Sequence, residues 1–178
     1  MILFPDAIAG LLAGDFSRLA PLFSNDAPVT GKRCVIIDWV EQGLLADEPK
    51  ALAEALTCAC FNGYTSVAET LLQHSVNPEA GNGTGLNALH WAANRGQLDA
   101  VRLLLQYQTP FETRSMYGGT ALGTAVWAAI HEPRGDQLGI IEALLQAGAR
   151  VDEAEYPTGN PQIDELLRRH GAKTGIAS

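Results

Sequence analysis

The chain has 178 residues, 47% of them hydrophobic, with 20 acidic against 12 basic side chains and a formal charge of −8. Such apolar content excludes a disordered chain, and no apolar run reaches the roughly 18 residues that span a bilayer. Nucleic acid would call for a basic stripe to neutralise phosphates, and only the isolated pairs Lys32-Arg33 and Arg168-Arg169 are present.

Pro5 opens a first helical stretch over residues 5–13, where its missing N–H costs nothing. After Gly14 a paired helix is expected over 16–23 on Phe16, Leu19, Leu22 and Phe23, with Ile2, Leu3 and Phe4 folding back over the exposed end. Asn25-Asp26-Ala27-Pro28 and Thr30-Gly31 are turn chemistry. Val35, Ile36, Trp39 and Val40 then share one helical face, which predicts an additional helix over 34–42 with Trp39 plugging the core. Helices over 49–61 and 66–74 follow, and a connector rich in turn formers runs from Asn77 to Thr84.

From Gly85 to Tyr117 the pattern is clearest. Leu89, Ala92 and Ala93 recur at i, i+3, i+4, and Leu98, Val101, Leu104 and Leu105 make a second apolar face beyond Gly96, a helix stop. Helices this short are unstable alone in water, so each must bury its stripe against a neighbour. The neighbours are copies. Gly63 and Leu71-Leu72-Gln73 precede Gly96 and Leu104-Leu105-Gln106 by 33 residues. Leu56, Ala59 and Cys60 step by 33 onto Leu89, Ala92 and Ala93, then onto Leu122, Ala125 and Val126.

Leu144-Leu145-Gln146 returns after 40, so residues 130–136 hold seven extra positions, with Pro133 and Gly135 breaking the helix that starts near Ala121. An outer helix over 138–147 follows. Past Val151 the pattern thins to Tyr156-Pro157-Thr158-Gly159-Asn160 and a last helix over 161–170, whose Gln162, Glu165, Arg168 and Arg169 can meet water.

A 33-residue helix–turn–helix period, with Gly85-Leu86-Asn87-Ala88-Leu89-His90-Trp91-Ala92, Gly118-Gly119-Thr120-Ala121-Leu122 and Gly148-Ala149, resembles ankyrin repeats. The resemblance implies an all-α, right-handed solenoid of about four repeats plus a C-terminal half-repeat cap. The whole chain, 1–178, is then one domain, with units near 1–29, 49–81, 82–114 and 115–152, an insertion helix in 30–48 and a cap at 153–178. Asn87-Ala88, Gly123 and Gln108-Thr109 depart from the motif where Thr-Pro, His and Gly-Ala would stand.

Gly81-Asn82-Gly83-Thr84-Gly85 lacks phosphate-loop spacing and reads as a finger turn. Cys58 and Cys60, at i and i+2, point to different helix faces and cannot share an ion. The resemblance gives His90 a structural hydrogen bond across the turn. His131-Glu132 is a His–carboxylate pair with no nucleophile in context. No catalytic residue, metal or cofactor is expected. Three cysteines without a disulfide framework, and an N-terminus lacking a signal-peptide pattern, lead us to expect a cytoplasmic protein.

In the resembled family, inner helices and fingers line a concave groove. Carried onto this sequence, that groove takes Phe61-Asn62, Asn94-Arg95 and Trp127-Ala128 from the helices, and Gly83-Thr84, Leu86, Met116-Tyr117 and Gly119 from the fingers. The expected partner-binding set is therefore Phe61, Thr84, Leu86, Asn94, Arg95, Met116, Tyr117 and Trp127, rich in the aromatic, Arg and Met side chains that dominate interfaces. Trp127 either meets a partner or is covered by the insertion, and Trp91 is read as packing. The expected function is non-enzymatic binding of a protein or peptide, a basic one being favoured by the acidic charge, by a monomer, without nucleic acid or membrane. The competing readings are an enzyme or small-ligand site around 130–136 and a structural module whose groove is self-occluded.

Overall fold

A computed structural model of the chain describes residues 4–23, 34–79 and 84–173. The expected fold-back of Ile2 and Leu3, the turns within 24–33 and the finger tip at Gly81–Gly83 lie outside these residues.

Ten helices and two 3-10 turns make up the described residues, with no strand among them. Helix α1 (Phe4–Ala13) pairs with α2 (Phe16–Leu19), α4 (Pro49–Asn62) with α5 (Thr65–Gln73), α6 (Ala88–Arg95) with α7 (Leu98–Gln106), and α8 (Ala121–His131) with α9 (Gln137–Gln146). The first member of each pair stacks on the next to form an inner row, α1, α4, α6, α8. The second members α5, α7 and α9 stack likewise as an outer row, and α10 (Pro161–Arg169) continues it on α9. The added helix α3 (Val35–Glu41) rests against α5, and its half-buried Trp39 meets the Phe4 ring edge-on at 4.9 Å.

The same backbone device joins the first three pairs. Gly14, Gly63 and Gly96 take φ of 72°, 78° and 75°, the left-handed region where glycine carries no Cβ penalty. The N–H of the next residue then reaches back to the inner helix, from Asp15 to Gly10, Tyr64 to Ala59 and Gln97 to Ala92 at 2.9–3.0 Å. Outer helices close in a matching way, with Val76, Thr109, Ala149 and Ala172 donating to Leu71, Leu104, Leu144 and Leu167. Those four leucines are fully buried and mark equivalent positions. Gln108 occupies the left-handed position at φ 56° that Gly148 holds in the following unit, so this departure from the motif keeps the turn and adds strain of about 1 kcal/mol.

One element differs from expectation. The outer helix of the first unit ends at Leu19 and becomes a 3-10 turn over Ala20–Leu22, because Pro21 cannot donate the next helical hydrogen bond. The last unit is the expected half-repeat cap: it has an outer helix, α10, and only a 3-10 turn (Val151–Glu153) against α8 where an inner helix would stand. Ion pairs tie that turn to the preceding finger: Arg114 and Arg150 both meet the buried Glu153 carboxylate, and Arg150 also faces Glu112 at 3.5 Å.

The core is one continuous run of small and branched apolar side chains from Ala7 to Leu167. No described helix is long and apolar enough to cross a membrane.

Candidate functional site

The C-terminal halves of the inner helices carry Phe61, then Asn94 and Arg95, then Trp127, each presented by the 33-residue step. The structure brings the first of these together. The Arg95 guanidinium lies 4.5 Å over the Phe61 ring, a cation–π contact. Trp91 meets Phe61 edge-on at 5.3 Å, and Phe16 meets both, at 5.6 Å from Phe61 and 6.2 Å from Trp91. The result is an aromatic row across three units, with Phe16 buried and Phe61, Trp91, Asn94 and Arg95 half-buried. Trp91 thus packs, as expected, although the row itself was not legible in the sequence. Periodicity tells which face a ring is on and not which ring it touches.

Trp127 continues this line on α8 and is 46% exposed, its ring 5.0 Å from that of His131. The insertion does not cover it. The chain turns away after His131 and lies on the Gly96 turn of the previous unit, where the Asp136 N–H donates to the Gly96 carbonyl at 3.4 Å. The Gln137 side-chain amide donates to the Asn94 carbonyl at 3.2 Å. Contact there is tight enough that a Cβ on Gly96 would run into the Arg134 carbonyl.

Two fingers border the other side. The Met116 N–H donates to the Thr84 carbonyl at 2.9 Å, joining adjacent fingers, and the Ser115 N–H closes the hairpin on Gly119 at 3.0 Å. The tip side chains Met116 and Tyr117 are 68% and 73% exposed, while Thr84 and Leu86 are half-buried. These finger residues stand at the starts of the inner helices, Phe61 and Arg95 at their ends, and Trp127 one turn short of the end of α8. The eight residues of α6 put about 12 Å between the two groups.

His90 holds the finger to the helix. Asn87 caps α6 by accepting from the N–H groups of Leu89 and His90, and the His90 ring takes the Asn87 N–H and bonds Gly119 at 3.2 Å. Burial pushes its pKa below the ordinary value, so the ring sits there neutral. The His131 ring lies tilted against Trp127 and Glu132 pairs with Arg134 at 2.9 Å, so the two do not act on a common point.

All three cysteines are free and buried. Cys34 donates to the Leu22 carbonyl and Cys58 to that of Phe16, and burial raises the thiol pKa throughout, that of Cys60 up to about 12. No group of three potential metal ligands gathers among the described residues. Glu54, which no sequence motif singles out, is 4% exposed in α4 with its Oε2 unbonded and its pKa pushed up to about 7 by desolvation. Its 33-residue offset from the Asn87 cap was the available signal.

A family model for ankyrin repeats, in three copies, matches residues 56–155. Among similar proteins, human ankyrin repeat and SOCS box protein 16 is 29% identical over 159 residues, covering 84% of this chain and 32% of that protein. The potassium channel AKT2/3 of Arabidopsis thaliana is 27% identical over 132 residues, covering 61% of this chain and 16% of the channel. Mouse protein phosphatase 1 regulatory subunit 12A is 27% identical over 128 residues, covering 71% of this chain and 12% of the subunit. The chain thus spans less than a third of each of these relatives.

Proposed function

This chain belongs to the ankyrin-repeat family, and from that premise we propose that it is a non-enzymatic scaffold that binds a protein or peptide in its concave groove. Ankyrin repeats generally mediate protein–protein interaction, and a relative named as a phosphatase regulatory subunit is in keeping with that role. The observation that carries the reading is Trp127, a large aromatic left 46% exposed in line with the packed row of Phe61, Trp91 and Arg95. A fixed row ordered before binding loses little entropy when a partner arrives.

In this reading Phe61, Asn94, Arg95 and Trp127 form one half of the contact surface and Thr84, Leu86, Met116 and Tyr117 the other. A partner spans the roughly 12 Å between them. The partner is a basic protein or peptide, drawn by the charge of −8, and the chain works as a cytoplasmic monomer without a cofactor. The units run near 1–29, 49–81, 82–114 and 115–152, the insertion helix lies in 30–48 and the cap in 153–178. A self-occluded groove is the weaker reading, because the insertion leaves Trp127 open. The enzyme reading is weaker too, because His131 and Glu132 are engaged with Trp127 and Arg134.

The test is affinity capture with wild type against a Trp127→Ala/Arg95→Ala variant, each checked for an unchanged melting profile. The variant is expected to lose the specific partners that wild type retains. Recovery of the same partners at the same yield overturns the groove.

A further inference from the structure

Arg95 closes α6 with a charge that no described carboxylate answers. Every other arginine among the described residues meets a carboxylate, from Arg18 with Asp15 to Arg169 with Glu165. Arg95 meets only the Phe61 ring, at 4.5 Å. No acceptor among the described residues takes its N–H groups, although acidic side chains outnumber basic ones by 20 to 12. The 33-residue step contributes no acid either, since it places Asn62 and Ala128 at the equivalent positions of the adjoining units.

A cation–π contact fixes the guanidinium in place but supplies no lone pair, so the five N–H donors of its planar fork stay unanswered. None of the Arg95 nitrogens is sealed from solvent, so the fork can be reached although the residue is half-buried. The side-chain amide of the adjacent Asn94 is likewise open and unpartnered among the described residues. A donor group already held in position loses little freedom when an acceptor arrives.

We propose that Arg95 receives the side-chain carboxylate of an Asp or Glu in the partner segment, bound along the forked edge of the guanidinium. The inference rests on the concave-groove reading and narrows it. The charge of −8 draws a partner that is basic as a whole, while the fixed contact at Arg95 demands one acid within it. A carboxylate satisfies a single guanidinium with two parallel N–H···O bonds. A phosphate carries nearly twice the charge and calls for a cluster of arginines. Arg134, whose carbonyl packs on Gly96, is spent on Glu132 at 2.9 Å. Phe61 and Trp127 stand one unit to either side of Arg95, so a segment along the groove crosses it mid-chain, which selects a side chain over a chain terminus.

The test follows the arginine Nε–Hε NMR signals of isotope-labelled full-length chain at constant ionic strength, with probes up to about 100 mM. Nα-acetyl-glutamate amide offers only a side-chain carboxylate, and Nα-acetyl-glutamine amide is its neutral isostere. We expect the Arg95 signal to move at least fivefold further with the glutamate probe than with the glutamine one, and further than the signal of any paired arginine. Arg95→Gln, checked for an unchanged melting profile, is expected to abolish the accompanying shift of the Asn94 backbone amide. Equal response to both probes, an Arg95 shift no larger than those of paired arginines, or an Asn94 shift that survives Arg95→Gln overturns the proposal. So does more than fivefold tighter binding of Nα-acetyl-O-phosphoserine amide, or of Nα-acetyl-alanine with its free terminal carboxylate. A silent Arg95, in a chain whose Trp127→Ala variant still loses partners in affinity capture, removes the carboxylate and leaves the groove standing.

Discussion

Glu54 sits one 33-residue step before Asn87, but α4 begins at Pro49 and carries this position into the helix interior, where no cap is needed. The carboxyl is left buried and without a hydrogen-bond partner, and its pKa rises from 4.5 to about 7. A raised carboxyl pKa means the folded state holds the proton longer than the unfolded one. The penalty is therefore absent below about pH 4.5, grows between there and 7, and is complete above, on the order of 3 kcal/mol. His90 works in the opposite sense, because its lowered pKa withdraws stability as pH falls below 6.5. We expect Glu54→Gln to raise the melting temperature at about pH 8 and to leave it unchanged at about pH 4. An equal gain at both values would place the effect in packing and not in charge.

At the scale of elements, the insertion and the Gly96 turn behave as one piece. Gly96 needs its left-handed φ of 75°, and the Arg134 carbonyl fills the space a Cβ would take. Gly43 has a similar φ of 72° with open space around it. Gly43→Ala should therefore cost about 1 kcal/mol in denaturant unfolding, the conformational penalty alone. Gly96→Ala should cost about 3 kcal/mol, since backbone must also shift. Equal losses would mean that the insertion does not bear on the turn. The phased leucines and glycines disclosed the pairing of helices, because burial of a stripe and a left-handed stop both leave periodic marks. The docking of residues 132–136 left no such mark: Pro133 and Gly135 announce a break in the helix but not its destination. The Arg95–Phe61 contact was equally silent, being a meeting of two units whose separate patterns say nothing of each other.

Across the whole molecule, each unit packs chiefly on its neighbours, with the Phe16–Trp91 contact reaching one unit further, so stability is assembled locally and can be lost locally. Leu167 is fully buried at the far end, where α10 rests on α9. Leu167→Ala should cost about 3 kcal/mol. Hydrogen exchange should speed up in α9 and α10 and stay unchanged in α4, whereas uniform acceleration would indicate a single cooperative core. The absent inner helix of the last unit belongs to this scale too. It was legible as a thinning of the pattern.

The three cysteines carry a last consequence. All lie between residues 34 and 60, buried and held as thiols, in the N-terminal half of the stack. Electrophiles and oxidants attack thiolates, so the native chain offers them almost nothing. Sulfur becomes nucleophilic only when the first two units part, and chemical inertness is then a built-in gauge of whether that half of the protein is closed.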